Sequence, residues 1–237
     1  MTKQSQQKRA LVTGGNRGIG YAICAGLLES GFEVLLGSRN MTKATQAADK
    51  LKTISPTVRG VDINVTDDNN IQNTARTLEL ELGYLNVLIN NAGIYPDNGI
   101  DILTINRMLL TQTMETNTFG PIQITQAFLP LLKSASDARV INVSSGYGAL
   151  AGLSPDVPSY CLSKLALNGA TMMLADALRP HNIAVNAICP GWVKTEMGGE
   201  SAPRTPEQGA DTAIWLATQA DLSVTGKFFR DREEISY

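Results

Sequence analysis

Short apolar runs rich in Val, Ile and Leu recur along the chain, separated by helix-length stretches of mixed polarity. That alternation predicts parallel strands covered by helices on both faces. The runs fall at 9–13 (RALVT), 33–38 (EVLLGS), 57–62 (TVRGVD), 86–90 (NVLIN), 138–144 (ARVINVS) and 182–189 (NIAVNAIC), with a weaker one at 226–229 (GKFF). They predict an α/β, doubly wound fold with a seven-stranded, mostly parallel sheet. The two longest helical segments are expected at roughly 104–133 and 158–179. No linker or repeat breaks the rhythm before residue 190, so 1–237 reads as one domain. Two stretches depart from the pattern. The polar start at 1–8 is expected to fray, and 194–208 (KTEMGGESAPRTPEQ), rich in Gly, Ser and Pro, is expected to be a mobile loop acting as a lid.

Composition narrows the ligand class. With 43% hydrophobic and 18% charged residues, a chain of 237 has enough apolar side chains for a sizeable core. The 20 basic and 22 acidic residues form no long single-sign run, which gives no reason to expect nucleic acid or an anionic membrane as partner. A small molecule is the expected ligand. No apolar run reaches the ~18 residues of a membrane span, and MTKQSQQKR lacks the apolar stretch of a signal peptide, so a cytoplasmic location is expected. Cys24, Cys161 and Cys189 are widely spaced and read as reduced core thiols, and the lone His181 lacks the partners of a metal site or a Ser/His/Asp triad. No metal is expected.

The first candidate site is TGGNRGIG, Thr13 to Gly20, between the first strand and a helical segment. Glycines there let backbone approach a diphosphate while the helix N-terminus supplies N–H donors. The spacing of Gly14, Gly18 and Gly20 is not the common G-x-G-x-x-G, and such a turn can also be purely structural. The end of the second strand bears on the nucleotide. An acid there would accept bonds from ribose hydroxyls, but this chain has Ser38 and Arg39, with Arg17 inside the glycine loop. Two guanidiniums suit a phosphate monoester, each charge-assisted bond being worth ~1.5 to 3 kcal/mol; the alternative is that both are ordinary surface arginines. The reading is NADP(H).

The second candidate is YCLSK, residues 160–164. One helical turn puts Tyr160 and Lys164 on one face, though such pairs are common on surface helices. The remaining motifs complete a pattern: Asp62 after the third strand, NNAG at 90–93, Asn117 in NTFG, Ser145 in INVSS, and Pro190 with Gly191 after the sixth strand. In this order, over nearly the whole chain, they resemble the short-chain dehydrogenase/reductase (SDR) family. CPGWVKTEMGG, TPEQGADTAIWLA and GKFFRDREEISY resemble its carbonyl-reductase branch. One departure is that monomeric animal members of that branch carry a long insertion before the tyrosine, which GYGALAGLSPDVPS is too short to contain.

The resemblance implies a Rossmann domain with a defined division of labour. Cofactor contacts would come from Gly14, Asn16, Arg17, Gly18, Ile19 and Gly20, from Ser38 and Arg39, and from Asp62 and Ile63. Asn91, Ala92, Gly93, Tyr160, Lys164, Pro190, Gly191, Val193 and Thr195 would complete the set. Tyr160 would protonate the alkoxide formed by hydride transfer. A phenol of pKa near ~10 holds its proton tightly, and lowering it by ~3 units takes ~4 kcal/mol, which Lys164 and the oxidised nicotinamide would supply. Ser145 would hydrogen-bond the substrate oxygen, with Ser144 as the neighbouring alternative. Asn117 would hold a water that relays protons to Lys164, or else cap a helix. Tyr95, Tyr147, Trp192 and Met197 would line the substrate pocket or simply pack, and Cys161 is read as packing.

The activity expected is NADPH-dependent reduction of a ketone or aldehyde. A 3-oxoacyl carrier-protein reductase and a non-catalytic NADP(H)-binding redox sensor are the alternatives, the second disfavoured by intact Ser145, Tyr160 and Lys164. Leu165, Leu167, Ala170, Met172, Met173 and Ala177 offer more apolar surface than one sheet face covers, which predicts a homodimer or homotetramer.

Overall fold

In the computed structural model, which describes residues 7–237, the seven expected strands form and an eighth follows them. They are β1 (Arg9–Val12), β2 (Glu33–Ser38), β3 (Val58–Asp62), β4 (Val87–Asn90), β5 (Arg139–Val143), β6 (Ala184–Ile188), β7 (Phe228–Arg230) and β8 (Glu233–Ile235). The sheet order is β3-β2-β1-β4-β5-β6-β7-β8, parallel throughout except for the last pair. The strand count of seven is therefore corrected to eight. β8 gave no signal because Glu233 and Glu234 are polar and exposed, and because Asp231 and Arg232 make its hairpin turn at positive φ (52° and 64°) without a glycine.

Alternation along the strands divides the core. Ala10, Val12, Val34, Leu36, Val87 and Ile89 face α1 (Gly18–Glu29), α2 (Met41–Leu51) and α8 (Pro206–Thr218). Leu11, Leu35, Leu88, Val140 and Val185 face the opposite side, beneath α3 (Asp68–Leu82) and the helices between β4 and β6. β1, β2, β4, β5 and β6 are buried on both faces and so read as continuous apolar runs in the sequence, whereas β3 and β7 have exposed positions.

The segment expected as one helix over 104–133 is built in pieces. α4 (Arg107–Met114) starts where Asn106 Oδ1 accepts from Leu109 N at 2.9 Å. A π-helical turn, Glu115–Phe119, joins it to α5 (Gly120–Ala127), and α6 (Leu129–Lys133) follows with Pro130 in its first turn. α7 (Pro158–Leu178) matches the second long segment.

Three further expectations change. Of the stretch 1–8, residues 1–6 lie outside the described residues. Lys8 is tied in, its carbonyl accepting from Glu33 N at 2.8 Å and its ammonium 2.6 Å from Asp137. The loop expected over 194–208 ends early, because Thr205 and Gln208 form a capping box that starts α8 at Pro206. On α7, Leu167 and Ala170 are buried, and the exposed apolar surface is instead Leu162, Met172 and Met173, the last 70% exposed. Among the described residues no helix is long and apolar enough to cross a membrane. Cys24, Cys161 and Cys189 are free and buried.

Candidate active site

The chain reverses its direction of travel across the sheet between β1 and β4, the switch point at which doubly wound sheets form a ligand crevice at the carboxyl ends of their strands. Thr13 ties its floor together. The buried Thr13 Oγ1 accepts from Asn91 N at 3.0 Å and Ala92 N at 3.1 Å, and the Asn91 amide donates to the carbonyls of Thr13 and Gly14. Gly14 holds φ +63°, and a Cβ there would meet Ala92 Cα at 3.0 Å, so the glycine loop sits directly on the segment after β4. A Cβ at Gly20 would overlap the Asn91 amide.

Around this floor stand the other residues expected at a cofactor. Arg17 is the exposed N-cap of α1, which no side chain caps, leaving first-turn N–H groups available to an anion. Asn16 and Ile19 flank it, half-buried. Ser38 is buried at the end of β2, Arg39 is exposed beside it, and Asp62 pairs with Ser38 across the strands. Thr195 approaches the Gly18 backbone. Pro190 and Gly191 lead out of β6, half-buried. Two assignments shift in character. The side chains of Ile63 (2% exposed) and Val193 (4%) lie in the core, against Gly37 and Gly209, so only their backbone can face the crevice. Arg17 also forms an ion pair with Glu196 from the 194–205 loop.

Beyond β5 lies the second cluster. Ser145 opens a short 3-10 turn at Gly146–Gly148, its hydroxyl accepting from Tyr147 N at 3.2 Å, whereas Ser144 is buried and directed at the Lys164 carbonyl. Tyr160, half-buried, packs edge-on between Tyr95 (centroids 4.6 Å apart) and Tyr147 (6.2 Å). One turn along α7, the buried Lys164 Nζ donates to Val143 O at 2.8 Å and stands 5.7 Å from the Tyr160 ring. A Cβ at Gly93 would touch Asn117 Oδ1 at 3.3 Å and Lys164 Nζ at 3.6 Å, which brings the two clusters together. Asn117 lies inside the π turn. Its Oδ1 accepts from Ile94 N (2.8 Å), and its Nδ2 donates to Ile94 O (2.9 Å) and Ser163 Oγ (3.0 Å). Both ends of that amide bond to protein, so it fastens Ile94 to α7 from within the helical run and does not act as a helix cap. Trp192 and Met197 are exposed at the rim, the indole donating to Gly198 O at 2.8 Å.

The electrostatics differ from expectation in one respect. Burial pushes the Tyr160 phenol up, and hydrogen bonding with Ser145 only partly offsets it. Burial also pushes the Lys164 ammonium down, to about 8. Burial thus opposes the charged form of both groups, and the ammonium, still mostly protonated near neutral pH, lies one turn from the phenol.

Residues 8–206 match the sequence profile described as short chain dehydrogenase. The chain belongs to that family. Its relatives include carbonyl reductase [NADPH] 1 of Homo sapiens, 32% identical over 88% of this chain and 90% of that one. They also include (+)-neomenthol dehydrogenase of Arabidopsis thaliana, 28% identical over 96% and 97%. Among solved structures, NADPH-bound carbonyl reductase from chicken fatty liver superposes with a TM-score of 0.87 at 31% identity, covering 98% of this chain and all of the other. The human alignment spans 253 positions, more than this whole chain, so that relative carries residues this SDR lacks.

Sequence reasoning missed three participants in this SDR site. Arg230 on β7 reaches beneath Gly146 and donates to Cys189 Sγ at 2.9 Å, while Gly146 N donates to the same sulfur at 3.0 Å. Arg204 lies under Gly191 and pairs with Asp231, which pins the end of the 194–205 loop to the β7–β8 turn. Asp97 is fully buried at the start of α7. Each contact joins segments far apart in the chain and leaves no local pattern to read.

Proposed function

We propose that the protein is an NADPH-dependent carbonyl reductase in which Tyr160 donates the proton. The observation that carries this reading is the phenol of Tyr160 held beside Ser145, with Lys164 one turn behind it and Asn117 locking the adjoining strand end. The crevice fits a dinucleotide, since Gly14 and Gly20 leave room where a side chain would fill it and the α1 N-terminus is uncapped. Arg39, Arg17 and the absence of an acid at the end of β2 favour a 2′-phosphate. When bound, that cofactor supplies the hydride.

The chain's own residues do the rest. Ser145 orients the substrate oxygen by hydrogen bonding and stabilises charge as it develops. Tyr160, kept protonated by burial, passes its proton to that oxygen. Lys164 stands where it can replenish and steady the phenol. Tyr95, Tyr147, Trp192 and Met197 form an apolar wall for the rest of the substrate. The 194–205 loop, bridged at its base by Val193 and Arg204, covers this wall as a lid.

NADPH consumption with a panel of aryl ketones, quinones, aliphatic aldehydes and an acetoacetyl thioester tests the reading. Turnover confined to the thioester would move the assignment to a carrier-protein reductase, and none with any carbonyl would overturn it. Exposed Leu162, Met172 and Met173 on α7, with Met108 and Phe119 on the preceding helical run, support a homodimer or homotetramer. Sedimentation as a single species near 25.4 kDa would exclude that assembly. Three buried reduced thiols suit the cytoplasm.

A further inference from the structure

The helix that carries Tyr160 and Lys164 has no cap of its own. Val157 occupies the N-cap position without a hydrogen-bonding side chain, and Pro158 has no N–H to give. The next two N–H groups, of Ser159 and Tyr160, both point at Oδ2 of Asp97, at 2.6 and 3.2 Å. Asp97 belongs to the segment after β4, 62 positions before Ser159. It is fully buried, and its second oxygen, Oδ1, is buried without a partner.

A cap alone does not account for this arrangement. Ser, Thr or Asn at position 157 would serve the same N–H groups locally, whereas a buried carboxylate with one oxygen unpaired is costly. The distant carboxylate accomplishes something a local cap cannot. It joins the backbone of Tyr160 to the segment that bears Tyr95, whose ring lies edge-on against the phenol at 4.6 Å. Asn117 makes a parallel tie from Ile94 to Ser163. The segment after β4 is thus fastened to α7 on both sides of Tyr160, once at the helix start and once at residue 163.

We propose that Asp97 is a positioning residue for the proton donor: through the Ser159 and Tyr160 N–H groups its Oδ2 sets the rotation of the first turn of α7, and with it the direction in which the Tyr160 hydroxyl faces the substrate. The inference rests on Tyr160 as proton donor. Asp97 touches neither the substrate nor the crevice floor, so its loss acts on kcat and leaves cofactor binding intact.

The test compares Asp97→Ala, Asp97→Asn and Asp97→Glu with wild type and Tyr160→Phe, all well below their melting temperatures. Asp97→Ala should lower kcat by about thirty-fold or more with the NADPH Kd within about two-fold, as expected of a reacting group displaced by an ångström or less. Asp97→Asn keeps an acceptor oxygen in place and should recover kcat to within about five-fold of wild type. Asp97→Glu keeps the charge but displaces it, and should be slower than Asn. A purely structural cap would lower the melting temperature and leave kcat per folded molecule within about three-fold, which would overturn the proposal, as would Glu outperforming Asn. If the Ala variant does not fold, the order of Asn and Glu decides.

Near-UV circular dichroism gives a readout without turnover. The difference between wild type and Tyr160→Phe isolates the phenol within the Tyr95–Tyr160–Tyr147 cluster; Asp97→Glu should lose that signal and Asp97→Asn retain it. Should wild type reduce no carbonyl, the function assigned above fails while this spectrum still decides whether Asp97 orients Tyr160.

Discussion

Lys164 Nζ and the carbonyl oxygen of Val143 are 2.8 Å apart, closer than the ammonium comes to the phenol it is expected to serve. The lysine is thereby anchored to the end of β5 before any ligand arrives. Its burial, with only a carbonyl for partner, draws it toward the neutral amine.

That burial has a thermodynamic signature. The folded-state value of about 8 lies below the ordinary 10.5, so between these values the unfolded chain binds more protons and stability rises with pH. Chemical denaturation of wild type and Lys164→Met should show wild type gaining on the variant by on the order of 3 kcal/mol as pH rises through this window. A constant difference across the window would show that burial leaves Lys164 unperturbed.

Arg39 is exposed just past the end of β2, where other dinucleotide enzymes place an acid. NADPH should exceed NADH in kcat/KM by at least about tens of fold, and Arg39→Asp should erase most of that ratio. Comparable efficiencies in wild type would contradict a 2′-phosphate site.

Glu196 competes for the other guanidinium. Because both Arg17 and Glu196 are largely exposed, their ion pair is worth at most about 1 kcal/mol. Glu196→Gln should therefore tighten NADPH binding by no more than about five-fold and leave NADH binding unchanged. Calorimetric titration with both cofactors separates the outcomes, and equal gains for both would place Glu196 elsewhere in the mechanism.

Tyr160→Phe removes one oxygen from a ring that remains packed between Tyr95 and Tyr147. Turnover should fall at least about a hundred-fold while NADPH affinity stays within a few fold, since the hydroxyl acts on charge that develops only in the transition state. Retention of a tenth of the activity would remove Tyr160 from the role of acid.

Hydrogen exchange addresses the loop. Amides over 194–205 should gain protection when NADP and a substrate analogue bind together, because closure excludes water from the reacting centre. Unchanged exchange would mean that the bridge between Val193 and Arg204 already fixes the loop.

What could be read in advance was whatever repeats locally. Strands buried on both faces appear as apolar runs, glycines that admit a backbone appear as Gly14 and Gly20, and one helical turn appears as Tyr160 and Lys164. What could not be read was set by partners distant in sequence. Asp97 sits in a stretch that looks like an ordinary turn, and only its contact 62 residues away gives it a role. Helical spacing does not say which side of α7 is covered, and Leu167 and Ala170, expected on its apolar surface, are buried. The burial that acts on both Tyr160 and Lys164 is likewise set by distant packing and leaves no mark in the spacing of the two residues.

The five residues of Glu115–Phe119 wind one more residue into their turn than an α-helix would. Side chains before and after them therefore belong to two helical phases about 100° apart. Deleting any one of the four residues other than Asn117 would restore ordinary pitch, bring the halves into a single phase and swing Asn117 away from Ile94 and Ser163. Exchanging side chains at the other four positions leaves the phase untouched. In this part of the chain the number of residues sets the helical phase, and the bonds of Asn117 and Thr118 to Ser163 depend on it.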